Sequence, residues 1–215
     1  MTFYWIFLIL TAIISYCMGS LSTLNIASTF VYKKNLRHLG SGNIWLSNFR
    51  RIFGTKGLVS LFAIEIIKDL LPLLIAGWIF GIKEQAELGR AFAAFCLVFG
   101  RVYPVFNRFK GSYGSIALIV AAFCIKPVIG GFTLLIFALL MWRRRYITVA
   151  TLASACIFIT FSMVIVENSL VMTLCIFTGT LVIIRLVPKI RNLLKGKEEK
   201  LSLKEDISYK FDQKF

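Results

Sequence analysis

The chain has 215 residues, of which 58% are hydrophobic and only 16% are charged, and its formal net charge is +15. Soluble domains have roughly 45–50% apolar and about 25% charged residues, and the mean hydropathy of +0.80 departs from them in the same direction. This composition excludes intrinsic disorder, a disulfide-rich scaffold and a soluble enzyme with a single core. It predicts an integral membrane protein.

The basic balance does not indicate nucleic acid, because membrane proteins carry such charge in cytoplasmic loops that face anionic lipid. No nucleic-acid module is recognisable, and the aromatic residues lie inside apolar runs. The five cysteines are far apart and the chain has one histidine, which disfavours metal binding and Ser/Cys–His catalysis. We therefore expect anionic lipid as a partner, no nucleic acid, no metal and no cofactor.

Long apolar runs predict an all-α, polytopic fold of about seven transmembrane helices, since a bilayer core of about 30 Å needs about 20 apolar residues in a helix. A break is expected at Lys126-Pro127, because proline disfavours helix at the residue before it and two glycines follow. The predicted spans are 3–30, 58–80, 86–106, 112–125, 128–142, 147–166 and 169–187.

The placement of lysine and arginine predicts the orientation: N-terminus outside and C-terminus cytoplasmic. Four segments are then cytoplasmic and hold 19 of the 25 basic residues, whereas the opposite loops hold only Lys83 and Lys126. The predicted organisation is a membrane-embedded domain at 1–187 and a basic cytoplasmic tail at 188–215. The cytoplasmic segments are 31–57, 107–111, 143–146 and 188–215.

Charged residues inside a predicted span are informative, because they are costly unless they face a partner or a wet cavity. The span 58–80 carries Glu65, Lys68 and Asp69 at helical spacings of three and four residues. These three residues are predicted to form a structural charge network, with Arg101 of the next span as a further cation. Such a network either fixes helix packing alone or also orients a site.

Two basic, glycine-containing loops are candidate anion sites. Glycine frees backbone N–H groups to face an anion, although such runs are more often plain turns. In the predicted topology both loops emerge on the cytoplasmic side, and this convergence favours a phosphate site. The loops are 39–51, with Gly40, Ser41, Gly42, Asn43, Ser47, Asn48, Arg50 and Arg51, and 100–114, with Arg101, Arg108, Lys110, Gly111, Ser112 and Gly114.

These motifs resemble, in order and over nearly the whole chain, those of the bacterial acyl-phosphate:glycerol-3-phosphate acyltransferases. Gly40-Ser-Gly-Asn43, then Asn48 and Arg51, is similar to the family's Gly-Ser-Gly-Asn-x-Gly-Ala-Thr-Asn-x-x-Arg. Pro104-Val-Phe and Phe109-Lys-Gly111 match its second motif. The resemblance implies a multi-pass enzyme of the bacterial cytoplasmic membrane that makes lysophosphatidic acid from glycerol 3-phosphate and acyl phosphate.

The departures from the family pattern concern the chemistry. Asp69 stands where a glycine is usual, Arg101 where the family has histidine, and Tyr113 where it has lysine. In the third motif a histidine has become Leu186 and an asparagine has become Lys189. The motifs of this chain therefore keep a positive charge, although the particular side chains of the family pattern are replaced.

Two interpretations remain open at the level of sequence. The resemblance implies an enzyme that uses the substrate's own phosphate rather than a side-chain base, so loss of histidine need not abolish activity. The alternative is a catalytically inactive relative that binds a phosphate-bearing lipid or another membrane protein. A small transporter is less favoured, because no internal repeat is found.

No catalytic residue is assigned. The residues that the resemblance implies for binding the substrate phosphate are Gly40, Ser41, Gly42, Asn43, Asn48, Arg51, Arg101, Lys110, Gly111, Ser112 and Gly114.

Overall fold

The computed structural model describes residues 2–33, 46–107, 109 and 111–195, and its regular structure is entirely helical over these ranges. The chain divides into two compact units. The larger unit contains residues 2–21 and 68–195, and the smaller contains residues 22–33 and 46–67 among those described. The helices are α1 Thr2–Ser20, α2 Thr23–Ile26, α3 Leu46–Gly81, α4 Ala86–Val102, α5 Ser115–Ile125, α6 Pro127–Arg144, α7 Ile147–Ile165 and α8 Ser169–Leu194, with a π-helical turn at Ala27–Val31 and a 3-10 turn at Val105–Asn107.

Each of the seven apolar runs gives rise to a helix, but three helix ends were predicted wrongly. α8 continues through Pro188 to Leu194 rather than ending near residue 187. The first helix ends at Ser20 rather than near residue 30, and the short helix α2 begins at Thr23 after a two-residue interruption. α3 begins at Leu46 rather than at residue 58, so part of the predicted loop 39–51 is helical, but Gly54 has a non-helical backbone with φ of +67° that separates residues 46–53 from the rest of α3. Its early turns carry Phe49, whose burial stabilises helix there.

Among the described residues, four helices are long and apolar enough to cross a membrane. α1 and α5 supply shorter apolar helices. Large apolar side chains are exposed along these helices, with Trp142 83%, Val164 80% and Leu135 60% exposed, which is typical of a surface in contact with lipid. The four helices cover Ala86–Asn107, Pro127–Arg144, Ile147–Ile165 and Ser169–Arg191.

The predicted break between the fourth and fifth apolar runs is confirmed. α5 ends at Ile125, Lys126 has an extended backbone, and Pro127 is the first residue of α6. Proline at that position is favourable because its missing N–H has no partner in a helix's first turn. α5 and α6 are therefore two antiparallel neighbours rather than one long helix.

The core of the larger unit lies around α4, which packs against α1, α5 and α8. Its closest crossing is with α1. A Cβ atom on Gly19 would overlap the carbonyl oxygen of Leu97, and one on Gly100 would overlap that of Tyr16. Small residues allow such close approach of membrane helices. The Tyr16 hydroxyl donates to the Tyr103 carbonyl at 2.9 Å, so the last turn of α4 is fixed against α1.

The smaller unit has its own aromatic core. Phe49 is fully buried and packs with Phe53 and Tyr32, with ring centroids of Phe53 and Tyr32 4.2 Å apart. The hydroxyls of Tyr32 and Ser60 share a hydrogen bond of 2.7 Å. Because Tyr32 ends the π-helical turn and Phe49 lies in the first turn of α3, this core ties together the two chain segments that flank residues 34–45.

Candidate functional site

The predicted phosphate-binding residues are divided between the two units. In the smaller unit, Asn48 and Arg51 lie in the first turns of α3, not in a loop as predicted, for the packing reason given above. The motif residues Gly40, Ser41, Gly42 and Asn43 lie outside the described residues. Lys110 also lies outside them, whereas Arg101, Gly111, Ser112 and Gly114 belong to the larger unit.

A buried ion pair joins α3 to the last turn of α4. Nη2 of Arg101 donates to both carboxylate oxygens of Asp69, at 2.6 and 2.7 Å. Asp69 is fully buried and Arg101 is 7% exposed. A carboxylate or guanidinium buried without a partner is strongly destabilising, so removing either residue would leave the other as an uncompensated buried charge.

Lys68 extends this ion pair toward α1. Its Nζ lies 3.5 Å from Oδ1 of Asp69 and donates to the carbonyl oxygen of Leu21 at 2.9 Å. The contacts in the larger unit therefore join Lys68, Asp69 and Arg101. Glu65 is half-buried in the part of α3 that belongs to the smaller unit.

The segment 111–114 lies directly against the end of α4. A Cβ atom on Gly111 would overlap the carbonyl oxygens of Arg101 and Val102, so this contact requires glycine. Gly114 has a left-handed backbone with φ of +74° and precedes the first residue of α5. Ser112 is exposed between these two glycines. The segment therefore exposes the Ser112 hydroxyl on a backbone that packs against the end of α4.

α8 contacts the same segment from its other side. Nη2 of Arg185 donates to the carbonyl oxygen of Gly111 at 2.9 Å. One turn later, Nζ of Lys189 lies 5.8 Å from the centroid of the Tyr113 ring, within the range of a cation–π interaction. Leu186, where the family has histidine, is fully buried.

Arg185 was not among the predicted site residues, although its position in the sequence indicates a functional residue. It is a charged residue inside the predicted span 169–187, and such residues face a partner or a cavity. Its contact with Gly111 follows from helix packing, which spacing along the chain does not give. Arg185 and Lys189 place cationic groups beside segment 111–114, an arrangement suited to binding an anion, whereas the charge of Arg101 is compensated by Asp69.

Comparison with known proteins gives a consistent result. The family described as "Glycerol-3-phosphate acyltransferase" matches residues 9–196 of this chain. A protein of that name from Thermoanaerobacter pseudethanolicus is 26% identical over 93% of this chain and 98% of its own length. One from Aquifex aeolicus is 31% identical over 77% of this chain and 85% of its own length.

Solved structures agree. A crystal structure of PlsY (YgiH), an integral membrane glycerol 3-phosphate acyltransferase, in its glycerol 3-phosphate form has a TM-score of 0.73, with 28% identity over 91% of this chain and 96% of that one. The lysophosphatidic acid form has a TM-score of 0.75, with coverage of 91% and 95%. The fold, the glycine-containing basic segment and these similarities define a multi-pass membrane protein of the acyltransferase class. The chain belongs to the glycerol-3-phosphate acyltransferase family.

Proposed function

We propose that this protein transfers an acyl group from acyl phosphate to glycerol 3-phosphate and thereby makes lysophosphatidic acid. A hydroxyl oxygen of glycerol 3-phosphate attacks the acyl carbon, and the bond between that carbon and the phosphate oxygen breaks. The hydroxyl proton passes to a substrate phosphate, and inorganic phosphate leaves. Because the leaving group is a phosphate, the chemistry needs positioned anions and stabilised charge more than a side-chain base.

The observation that carries this proposal is the packing of segment 111–114 between α4 and α8. Gly111 contacts the backbone of Arg101, and its carbonyl accepts from Arg185. This arrangement leaves Ser112 exposed, between Gly111 and Tyr113, whose ring centroid lies 5.8 Å from Nζ of Lys189. A segment held in this way is suited to a charged substrate, because donors that are already fixed need no reorganisation during the reaction.

We assign the substrate phosphates to residues of the two basic, glycine-containing motifs. The first motif would contribute backbone and amide donors together with the charge of Arg51. The second motif would contribute the charge of Lys110, the backbone of Gly111 and Gly114, and the hydroxyl of Ser112. We assign Arg101 to the same group of residues through its effect on this backbone rather than through its buried guanidinium. The donors of the first motif are Gly40, Ser41, Gly42, Asn43 and Asn48.

Replacing Arg51 by alanine is expected to weaken binding of glycerol 3-phosphate by about tenfold or more, because a charge-assisted hydrogen bond contributes roughly 1.5–3 kcal/mol. The measurement is a calorimetric titration with the protein in detergent. Arg143→Ala is the matched control, since Arg143 is an exposed arginine at the end of α6. Equal loss of affinity in both variants would show that nonspecific charge, not a site, attracts the substrate.

The experiment that tests the function is an acyl-transfer assay with purified protein and labelled glycerol 3-phosphate. Palmitoyl phosphate, palmitoyl-CoA and palmitoyl-acyl carrier protein are supplied in separate reactions, and lysophosphatidic acid is measured. We expect product with palmitoyl phosphate and little with the two thioesters. Product with a thioester alone would overturn the donor assignment. Saturable binding of glycerol 3-phosphate without product from any donor would favour the inactive relative that binds phosphate-bearing lipid.

We further propose a topology of seven spans with the N-terminus outside and the C-terminus in the cytoplasm. It is supported by the seven apolar helical runs and by the excess of basic residues in alternate loops. It assigns residues 188–215 to a basic cytoplasmic tail that follows the membrane domain 1–187 of a bacterial cytoplasmic membrane protein. Anionic lipid is then a partner of the cytoplasmic segments.

Single cysteines in a cysteine-free variant test this topology. Trp45→Cys is expected to react with a membrane-impermeant maleimide only after the membrane is opened, whereas Gln85→Cys reacts in intact cells. The two positions lie in loops with opposite predicted sides, so each is the control for the other. Labelling of position 45 from outside intact cells would contradict the orientation.

A further inference from the structure

The buried pair of Asp69 and Arg101 can do more than join two helices. Both residues are more than nine-tenths buried, and a buried ion pair is weak evidence for stability because its desolvation cost is similar to its attraction. Such a pair is better suited to fixing one relative position of the helices that it joins than to stabilising the fold.

Three contacts show that this ion pair and its neighbours fix the position of the end of α4. Arg101 lies in its last turn and binds Asp69 of α3. The carbonyl of Gly100, one residue earlier, accepts from the Ser20 hydroxyl at 3.3 Å. Lys68 joins Asp69 to the Leu21 carbonyl just beyond α1. The Asp69 carboxylate, in the middle of α3, therefore links the end of α4 with the end of α1.

Segment 111–114 must follow any movement of that turn. The Cβ position of Gly111 overlaps the carbonyls of Arg101 and Val102, so no gap separates the two backbones. The Cβ position of Gly114 lies 3.9 Å from Cγ of Arg101. A change in the pairing of Arg101 is thus transmitted to the backbone on which Ser112 is exposed.

We infer that Asp69 and Arg101 form a positioning pair for the substrate-binding segment 111–114. This inference rests on the proposed function, because it assigns the segment to substrate binding. The Asp69 carboxylate is the partner that compensates the buried charge of Arg101.

The test compares Asp69→Asn, Arg101→Gln and the double variant in the full-length protein. Each single variant leaves a buried charge with an altered set of partners, whereas the double variant removes both charges and is expected to fold. The matched control is the double variant Glu87→Gln/Lys126→Gln. It removes a partly exposed ion pair of 3.4 Å at the opposite end of α4.

Two readouts are needed. The first is the KM for glycerol 3-phosphate and the kcat with acyl phosphate. We expect kcat/KM to fall by about a hundredfold in the double variant, because small misplacement of binding groups has effects of that size, with most of the loss in KM. The second is hydrogen exchange of the backbone amides at 111–115, which is expected to speed up in the double variant but not in the control.

A double variant with the parental KM and parental exchange at 111–115 would overturn the inference and leave a pair that only packs two helices. If the unchanged protein transfers no acyl group from any donor, the proposed function fails by itself. The exchange measurement then still decides whether the pair positions the segment, so the two failures are distinguishable.

Discussion

Gly111→Ala is expected to lower the kcat/KM of acyl transfer by about a hundredfold or more, since misplacing a binding group by about 1 Å has effects of that order. The added methyl group would overlap the carbonyl oxygens of Arg101 and Val102. Those are backbone atoms of a packed helix, so segment 111–114 must shift instead. A shift also breaks the hydrogen bond from Arg185 to the Gly111 carbonyl.

Gly131→Ala is the control for this prediction. Gly131 lies inside α6, and no described atom comes within 4 Å of its Cβ position. Alanine there is expected to keep full activity and to raise the free energy of unfolding by about 0.4–1 kcal/mol. Steady-state kinetics and thermal unfolding in detergent measure both effects. Full activity in Gly111→Ala would show that segment 111–114 does not bind substrate.

Phe49→Ala is expected to destabilise the smaller unit by about 3–5 kcal/mol, the usual cost of removing a buried aromatic side chain. Phe49 is fully buried against Tyr32 and Phe53. It lies between the motif residues Asn48 and Arg51 in the first turns of α3. The KM for glycerol 3-phosphate should therefore rise together with hydrogen exchange in those turns.

Val59→Ala on the same helix is the matched control, because Val59 is 64% exposed. Its unfolding temperature and KM are expected to stay close to those of the parent. Hydrogen exchange resolved by peptide separates the effect on the first turns of α3 from effects elsewhere. Parental exchange in the Phe49→Ala variant would contradict the role of the aromatic core in fixing the start of α3.

Much of the fold follows from apolar length and proline chemistry. The runs that became α6 and α7 were predicted to within a few residues, because a bilayer requires a long apolar helix and charges mark its ends. The break at Lys126-Pro127 was predictable from the steric effect of proline. The start of α3 was not, because its first turns are stabilised by packing of Phe49 rather than by a local signal.

The charged residues of the site were predictable from the sequence, but the contacts between them were not. Charges inside spans pointed to Asp69, Lys68 and Arg101, because such groups need partners. The sequence did not show that Arg101 binds Asp69 with both hydrogen bonds from one nitrogen. It also did not show that Arg185 holds the carbonyl of Gly111. Both contacts depend on how helices distant in sequence cross.

We propose that segment 111–114 belongs to a binding site for a phosphate-bearing substrate. This is tested by titration of glycerol 3-phosphate into the parent, Gly111→Ala and Gly131→Ala proteins, in nanodiscs of neutral lipid. Neutral lipid removes the competing anionic headgroups. We expect saturable binding by the parent and by Gly131→Ala, and much weaker binding by Gly111→Ala. No saturable binding by the parent at millimolar ligand, or equal binding by all three proteins, would contradict it.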